Sequence, residues 1–213
     1  MEQLQPDLWQ SSRHESGMLR SHAYLVTRPA GNVLFYNIGL DQQSDLDAIA
    51  ELGGIAHQLL SHRDEANELL DPIRHRFGSR LWCSAIEEPA IGRAATVDAV
   101  LAQGDDHVED VEVLHTPGHT DGSLCFFYRS PYGKSYLFTG DSLFLWDGEW
   151  STLVLEAAGG SATALAGSLL GLRELRPDLV LCSAFVGDVA TMEVGAEEWT
   201  RAIDGQVARL RKA

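Results

Sequence analysis

Three apolar runs in this chain stop abruptly at polar side chains that can bind metals, and this pattern limits the possible folds most. The runs are LLSHRDEAN (59–67), VLHTPGHTDGS (113–123) and YLFTGDSLF (136–144). Short apolar runs bounded by turn residues are typical of buried strands. Strand ends are also where a rigid scaffold presents side chains to a shared cleft. The pattern therefore predicts strands that end at one common site.

Helical patterns lie between the predicted strands. Apolar residues at helical spacing predict helices near 44–52, 66–77 and 161–175, and a last helix from about residue 196. No repeat or linker interrupts this alternation of strands and helices. It predicts an α/β protein with two sheets packed together and helices on the outer faces. The length fits one domain or two.

The charge balance argues against polyanionic partners. The 213 residues include 31 acidic against 16 basic residues, for a formal net charge of −15. Binding to nucleic acid needs a patch of Lys and Arg, and the same holds for an anionic membrane surface. No run reaches the roughly 18 apolar residues that a membrane span needs. We therefore expect neither a nucleic acid nor a membrane as partner.

The cysteines indicate a reducing compartment. Cys83, Cys125 and Cys182 each lie inside an apolar run, and their number is odd. This usage is typical of reduced thiols in a protein core. The N-terminal sequence has no basic segment followed by an apolar run, as a secretory signal would have. We therefore expect the protein to be cytoplasmic.

The sequence Thr-Pro-Gly-His-Thr (116–120), an apolar strand and then Thr-Gly-Asp (139–141) together resemble the metallo-β-lactamase superfamily, in the hydrolase branch that includes glyoxalase II. SHRDEAN (61–67) stands where that family has its His-x-His-x-Asp-His motif. The resemblance implies a four-layer αββα sandwich, built as a single domain over residues 1–213, with a metal site at one edge between the two sheets. A glyoxalase II role itself is disfavoured, because the basic C-terminal segment of that group is absent.

The family's metal ligands carry over only in part. His62, His119 and Asp141 match the first motif histidine, the TPGH histidine and the bridging aspartate. Asp64 stands at the second histidine position. The remaining motif positions hold residues without ligand groups, namely Ala66, Asn67 and Ala184. The resemblance therefore implies that the second metal has lost its private ligands.

Two histidines and two carboxylates could still hold one ion. The interpretation is one divalent metal, zinc or else iron or manganese, on His62, Asp64, His119 and Asp141, with an empty site as the alternative. Asp64 and Asp141 are the candidate catalytic residues. His22 and Trp146 are candidate substrate contacts, although either could serve packing instead.

Three functions follow from this interpretation. The first is a metal-dependent hydrolase of a small molecule with at most one metal. The second is a metal-free, inactive relative that binds or regulates. The third is a mononuclear iron redox enzyme resembling the persulfide dioxygenases of the superfamily, although these keep the His-x-His pair. A homodimer is compatible with each of them.

Overall fold

A computed structural model describes residues 1–37 and 43–212, and divides the chain into two compact units, Met1–Ala102 and Gln103–Ala213. We describe each unit by itself. No helix among the described residues combines the length and the apolar character needed to cross a bilayer.

The described residues of the first unit form a seven-stranded sheet and a small hairpin. The sheet has the order β1-β2-β5-β6-β7-β8-β9, and β3 pairs with β4 in the hairpin. The pairs β6–β7, β7–β8 and β8–β9 are parallel, whereas the pairs β1–β2, β2–β5 and β5–β6 are antiparallel. The strands are β1 (Glu2–Gln5), β2 (Leu8–Gln10), β3 (His14–Ser16), β4 (Leu19–Ser21), β5 (Tyr24–Val26), β6 (Val33–Phe35), β7 (His57–Leu59), β8 (Arg80–Ser84) and β9 (Ala99–Leu101).

Three helices accompany this sheet: α1 (Gln43–Glu51), α2 (Leu70–Phe77) and α3 (Glu88–Ile91). Leu46 and Ile49 of α1 pack with Leu25 and Leu34 of the sheet. Leu70 of α2 belongs to a second cluster around β8. Burial of apolar side chains from helix and sheet is the main stabilising contribution here. The helices thus pack against β5, β6 and β8. Strand β7 lies between β6 and β8, and the first candidate ligand follows it.

The described residues of the second unit form a six-stranded sheet of order β10-β11-β12-β13-β16-β18. Its pairs are antiparallel except for β13 and β16, which run parallel. Strands β14 and β15 form a separate hairpin. The strands of this unit are β10 (His107–Val108), β11 (Val111–His115), β12 (Leu124–Arg129), β13 (Ser135–Gly140), β14 (Phe144–Trp146), β15 (Glu149–Ser151), β16 (Leu179–Cys182), β17 (Ala184–Phe185) and β18 (Thr191–Glu193).

Two helices, α4 (Ala162–Leu172) and α5 (Ala196–Leu210), pack on one face of the second sheet. Ser161 is the N-cap of α4, and its hydroxyl accepts a hydrogen bond from the Ala164 N–H. Leu169 and the fully buried Trp199 join the cluster that the two helices share with β12, β13 and β16. The Trp199 indole N–H donates to the Leu172 carbonyl across the two helices at 3.0 Å. The predicted α/β class is confirmed, because each unit combines a sheet with helices packed on it.

Candidate metal centre

The loop Thr-Pro-Gly-His-Thr connects β11 to β12 and lies directly against helix α4. Gly118 has a φ of +146°, and a Cβ at this position would lie 2.3 Å from the backbone of Leu165. The Ser161 N–H donates to the Gly118 carbonyl at 2.9 Å. Only glycine allows this approach, because any side chain would meet the helix backbone. The loop is therefore held against the start of α4, with the candidate ligand His119 next along the chain.

His119 is buried, with 1% of its surface exposed. Its Nδ1 lies 2.9 Å from the carbonyl oxygen of Leu153. Its own carbonyl accepts the Leu155 N–H at 2.9 Å, so the backbone of the 153–155 segment is paired with it. A carbonyl can only accept, so Nδ1 of the neutral ring carries the proton and Nε2 has the lone pair. This tautomer and orientation are those of a typical metal-binding histidine.

Asp141 lies at the end of β13, where hydrogen bonds fix the turn. The Thr139 hydroxyl donates to the Leu143 carbonyl at 2.7 Å, and the Ser183 N–H donates to the Gly140 carbonyl at 3.1 Å. Oδ1 of Asp141 accepts the Ala184 N–H at 3.0 Å. A backbone N–H thus holds one carboxylate oxygen. That N–H belongs to Ala184, which stands where the family has its last histidine.

The other oxygen of Asp141, Oδ2, lies 3.9 Å from Nε2 of His119. Two atoms that each bind one zinc ion at about 2.1 Å are no more than about 4.2 Å apart. The distance therefore fits a single ion between the two atoms. A histidine nitrogen and a carboxylate oxygen are ligands that zinc, iron and manganese accept. Within the second unit, the structure brings together these two of the predicted ligands.

In the first unit, His62 follows β7 at a short 3₁₀ turn, Arg63–Glu65, and 2% of its surface is exposed. Its backbone is extended, with φ −162° and ψ 173°. Its Nδ1 lies 2.9 Å from the Ser61 hydroxyl oxygen and 3.4 Å from Oε1 of Glu65. The ring is therefore fixed on its Nδ1 side by residues of its own turn.

Asp64 is exposed, whereas its neighbour His62 is buried. The next residue, Glu65, carries the buried carboxylate of this turn, with 4% of its side chain exposed. Strand β7 ends at Leu59 and the chain then turns, so strand alternation does not decide which of these two carboxylates is buried. The choice of Asp64 as ligand and catalytic residue stays a prediction.

The turn is also fixed from outside. Arg63 donates from both its backbone N–H, at 3.1 Å, and its Nε to the carboxylate of Glu87, which is fully buried. The Asn37 amide donates to the Glu65 carbonyl at 3.1 Å. Asn67 accepts the Leu69 N–H on its side-chain oxygen at 2.8 Å, as in a turn before a helix. These contacts give Asn67, a residue at an altered family position, a structural role, and they add Asn37 as a support of the turn.

The two predicted substrate contacts differ in environment. His22 is 8% exposed; its Nδ1 lies 2.8 Å from the Ser11 carbonyl and its Nε2 lies 3.2 Å from the Gln10 amide nitrogen. Desolvation by burial lowers the pKa of His22. Trp146 is 44% exposed on the β14–β15 hairpin. Trp146 offers an accessible aromatic surface, and both assignments stay predictions.

The sequence analysis did not identify two partners of the candidate ligands. The carbonyl of Leu153, which orients His119, lies 34 residues along the chain and belongs to the backbone, so no residue type marks it. Glu65, the other partner, stands at a position that the family motif does not specify. Its spacing of four from Ser61 could have indicated the contact, since such residues meet when a chain turns.

The three thiols are free and buried. Burial raises the pKa of Cys83 to about 12 and the pKa of Cys182 to about 12. Cys125 accepts from the Thr116 hydroxyl at 3.3 Å within the core of its unit. Such thiols are poor nucleophiles and poor metal ligands, because the thiolate is the reactive form. The core position predicted for these cysteines is confirmed.

The sequence model of the metallo-β-lactamase superfamily matches residues 54–184, which is more than half of the chain. The chain therefore belongs to this superfamily, and the resemblance predicted from TPGHT and TGD is confirmed. A stretch of 34 residues is 56% identical to a protein of Schizosaccharomyces pombe described as a probable hydroxyacylglutathione hydrolase. That stretch covers 16% of this chain and 13% of the relative.

Solved structures share the fold. A metallo-β-lactamase of Cronobacter sakazakii with a HARLDQ motif is 17% identical, with a TM-score of 0.69 over 99% of this chain and 96% of that one. TTHA1623, solved in a di-iron-bound form, is 23% identical, with a TM-score of 0.68 over 87% of this chain and 96% of that one. At these identities the similarity concerns the fold, and it confirms the predicted metallo-β-lactamase class.

Proposed function

We propose that this protein is a metal-dependent hydrolase of a small molecule and that it binds one divalent ion. The observation that carries the proposal is the His119–Asp141 pair, whose facing Nε2 and Oδ2 atoms are 3.9 Å apart. His62 is the third proposed ligand, because it matches the first histidine of the family motif. Asp64 is proposed as a fourth, also from the motif alone.

The proposed chemistry depends on how the chain holds these ligands. When bound, a divalent ion at such a site acts as a Lewis acid and lowers the pKa of a water ligand toward neutrality. The chain contributes fixed orientation: the Leu153 carbonyl holds the His119 ring, and the Ala184 N–H holds Asp141. Ligands that need not reorganise favour catalysis by electrostatic stabilisation. Asp141 is therefore proposed to hold the ion and to orient the attacking water.

A single ion is proposed rather than two. The second metal of the family takes its private ligands at positions that here hold Ala66, Asn67 and Ala184. Alanine has no ligand atom, and Asn67 already accepts a backbone N–H. The di-iron form of TTHA1623 favours iron as an alternative occupant. We therefore propose zinc or manganese for a hydrolase, with iron as the sign of a redox enzyme.

The substrate and cellular setting are proposed from charge and thiols. The formal charge of −15 disfavours polyanions and favours a neutral or cationic small molecule. The buried free thiols are compatible with a cytoplasmic protein. The partial match to a probable hydroxyacylglutathione hydrolase supports ester or thioester hydrolysis as the first activity to assay. A homodimer remains a prediction for light scattering to check.

Metal analysis of protein purified without a chelating tag tests the proposal. We expect one equivalent of zinc or manganese and a higher melting temperature when that metal is added, since a ligand that binds the folded state stabilises it. His119→Ala is expected to abolish binding. The control is His107→Ala, because that histidine is exposed in the same unit.

Three outcomes contradict parts of the proposal. Less than about a tenth of an equivalent, with no stabilisation by added metal, would exclude metal-dependent catalysis and favour a binding role. One equivalent of iron would favour the redox alternative over hydrolysis. Metal that stays bound in His119→Ala would show that the ligand set is wrong.

A further inference from the structure

A buried carboxylate reaches His62 through a hydroxyl group. The Ser61 hydroxyl donates to Oε1 of Glu65, and the Ser61 N–H donates to Oε2 of the same carboxylate at 2.7 Å. The Ser61 oxygen also lies 2.9 Å from Nδ1 of His62. Ser61 and His62 are 1% and 2% exposed, and the Glu65 side chain is 4% exposed. The three side chains form a small buried network inside one turn.

The carboxylate determines which hydrogen bond the Ser61 hydroxyl donates and which it accepts. A carboxylate has only acceptors, so the single proton of the Ser61 hydroxyl is directed to Glu65. Toward His62 the hydroxyl oxygen can then only accept. The neutral ring must therefore carry its proton on Nδ1 and its lone pair on Nε2.

We propose that Glu65 is a positioning residue that acts through Ser61 to fix the tautomer and orientation of His62. The metal role of His62 rests on the proposed function, but the tautomer does not. Partners that orient a histidine in this way typically change metal affinity by about 10- to 100-fold when removed. The family motif His-x-His-x-Asp-His leaves this position unspecified, so the motif itself assigns Glu65 no role.

The backbone of Glu65 is fixed as well as its side chain. The Asn37 amide donates to the Glu65 carbonyl at 3.1 Å. Arg63, two residues earlier, is bound by the buried Glu87 carboxylate through its backbone N–H and its side chain. The carboxylate of Glu65 is thus delivered to Ser61 by a turn that is itself held at both sides.

The test uses Glu65→Gln, which keeps the shape of the side chain. An amide can donate as well as accept, so the Ser61 hydroxyl becomes free to reverse and donate to His62. Ring ¹⁵N NMR of histidine-labelled, metal-free protein reads the tautomer, and the His62 signals are assigned from their loss in His62→Asn. In the parent protein we expect the proton on Nδ1. In Glu65→Gln we expect a shift toward the Nε2-protonated form and zinc binding weaker by about 10- to 100-fold.

Glu68→Gln is the matched control, because it removes the same charge three residues later from an exposed side chain. It should change neither the ¹⁵N shifts nor zinc affinity. A proton on Nε2 in the parent protein, or an unchanged tautomer in Glu65→Gln, would overturn the proposal. The measurement on the parent protein decides even if Glu65→Gln fails to fold. A parent protein that has the expected tautomer but binds no metal contradicts the proposed function and leaves the network intact.

Discussion

Replacement of Gly118 by alanine should destabilise the protein strongly, because the new methyl group meets the backbone of α4. The added Cβ would lie 2.3 Å from the N and Cα atoms of Leu165. This is more than about 1 Å short of ordinary carbon contact, near 3.5–4.0 Å. Overpacking of this kind costs about 1–3 kcal/mol. The φ of +146° adds strain of about 1–3 kcal/mol for a residue with a Cβ.

Gly133→Ala separates these two contributions. Gly133 also has a positive φ, +94°, but a Cβ there would meet no atom within 4 Å. Gly133→Ala should therefore lower the free energy of unfolding only by the strain contribution, about 1–3 kcal/mol. Urea unfolding followed by tryptophan fluorescence gives both free energies of unfolding, from the midpoint and slope.

We expect Gly118→Ala to be less stable than Gly133→Ala by the overlap contribution, about 1–3 kcal/mol. Such a loss is a large share of a typical total stability of about 5–15 kcal/mol. Equal free energies of unfolding for the two variants would refute the close approach of the loop to α4. If the approach is real, Gly118→Ala should also weaken metal binding, because His119 is the next residue.

Two other predictions concern titratable groups. Cys83 and Cys182 have pKa values raised to about 12 by burial, so neither should react with a thiol reagent at pH 8 until the protein is unfolded; fast labelling of native protein would contradict this. The hydrogen bond from Arg74 lowers the pKa of Asp98 below its usual 3.8. The contribution of the Asp98 carboxylate to the free energy of unfolding is therefore present above about pH 4. It is lost as the pH falls through the pKa that Asp98 has in the folded state. Between pH 5 and pH 2, the free energy of unfolding should fall less steeply for Asp98→Asn than for the parent protein. Parallel curves would refute the role of this pair.

The predicted helices show which features a sequence carries locally. The helix predicted near 161–175 is confirmed as α4, which Ser161 caps, and so is the last helix, which begins at Ala196. The helix predicted from residue 66 begins only at Leu70, because Ala66 ends the 3₁₀ turn and Asn67 caps the Leu69 N–H. Cap and apolar spacing are local signals, whereas a competing turn depends on how the chain leaves the preceding strand.

The β14–β15 hairpin follows Asp141 and was not among the predicted elements. Asp147 and Gly148 both have positive φ, 50° and 82°, as a two-residue hairpin turn requires. The Asp147-Gly148 pair is a sequence signal for such a hairpin turn. The contacts that orient His119 and Asp141 are different, because they come from backbone groups of Leu153 and Ala184. Backbone donors and acceptors are the same at every residue, so the sequence gives no sign of them.

The hydrogen bond between Nδ1 of His119 and the Leu153 carbonyl matters for protein engineering. The carbonyl that orients the ring is main chain, while the leucine side chain itself is 46% exposed. Substitutions at position 153 should therefore change the surface next to His119 without releasing the ring. Under the proposed function, selection at this position would vary substrate preference while the orientation of His119 is inherited unchanged.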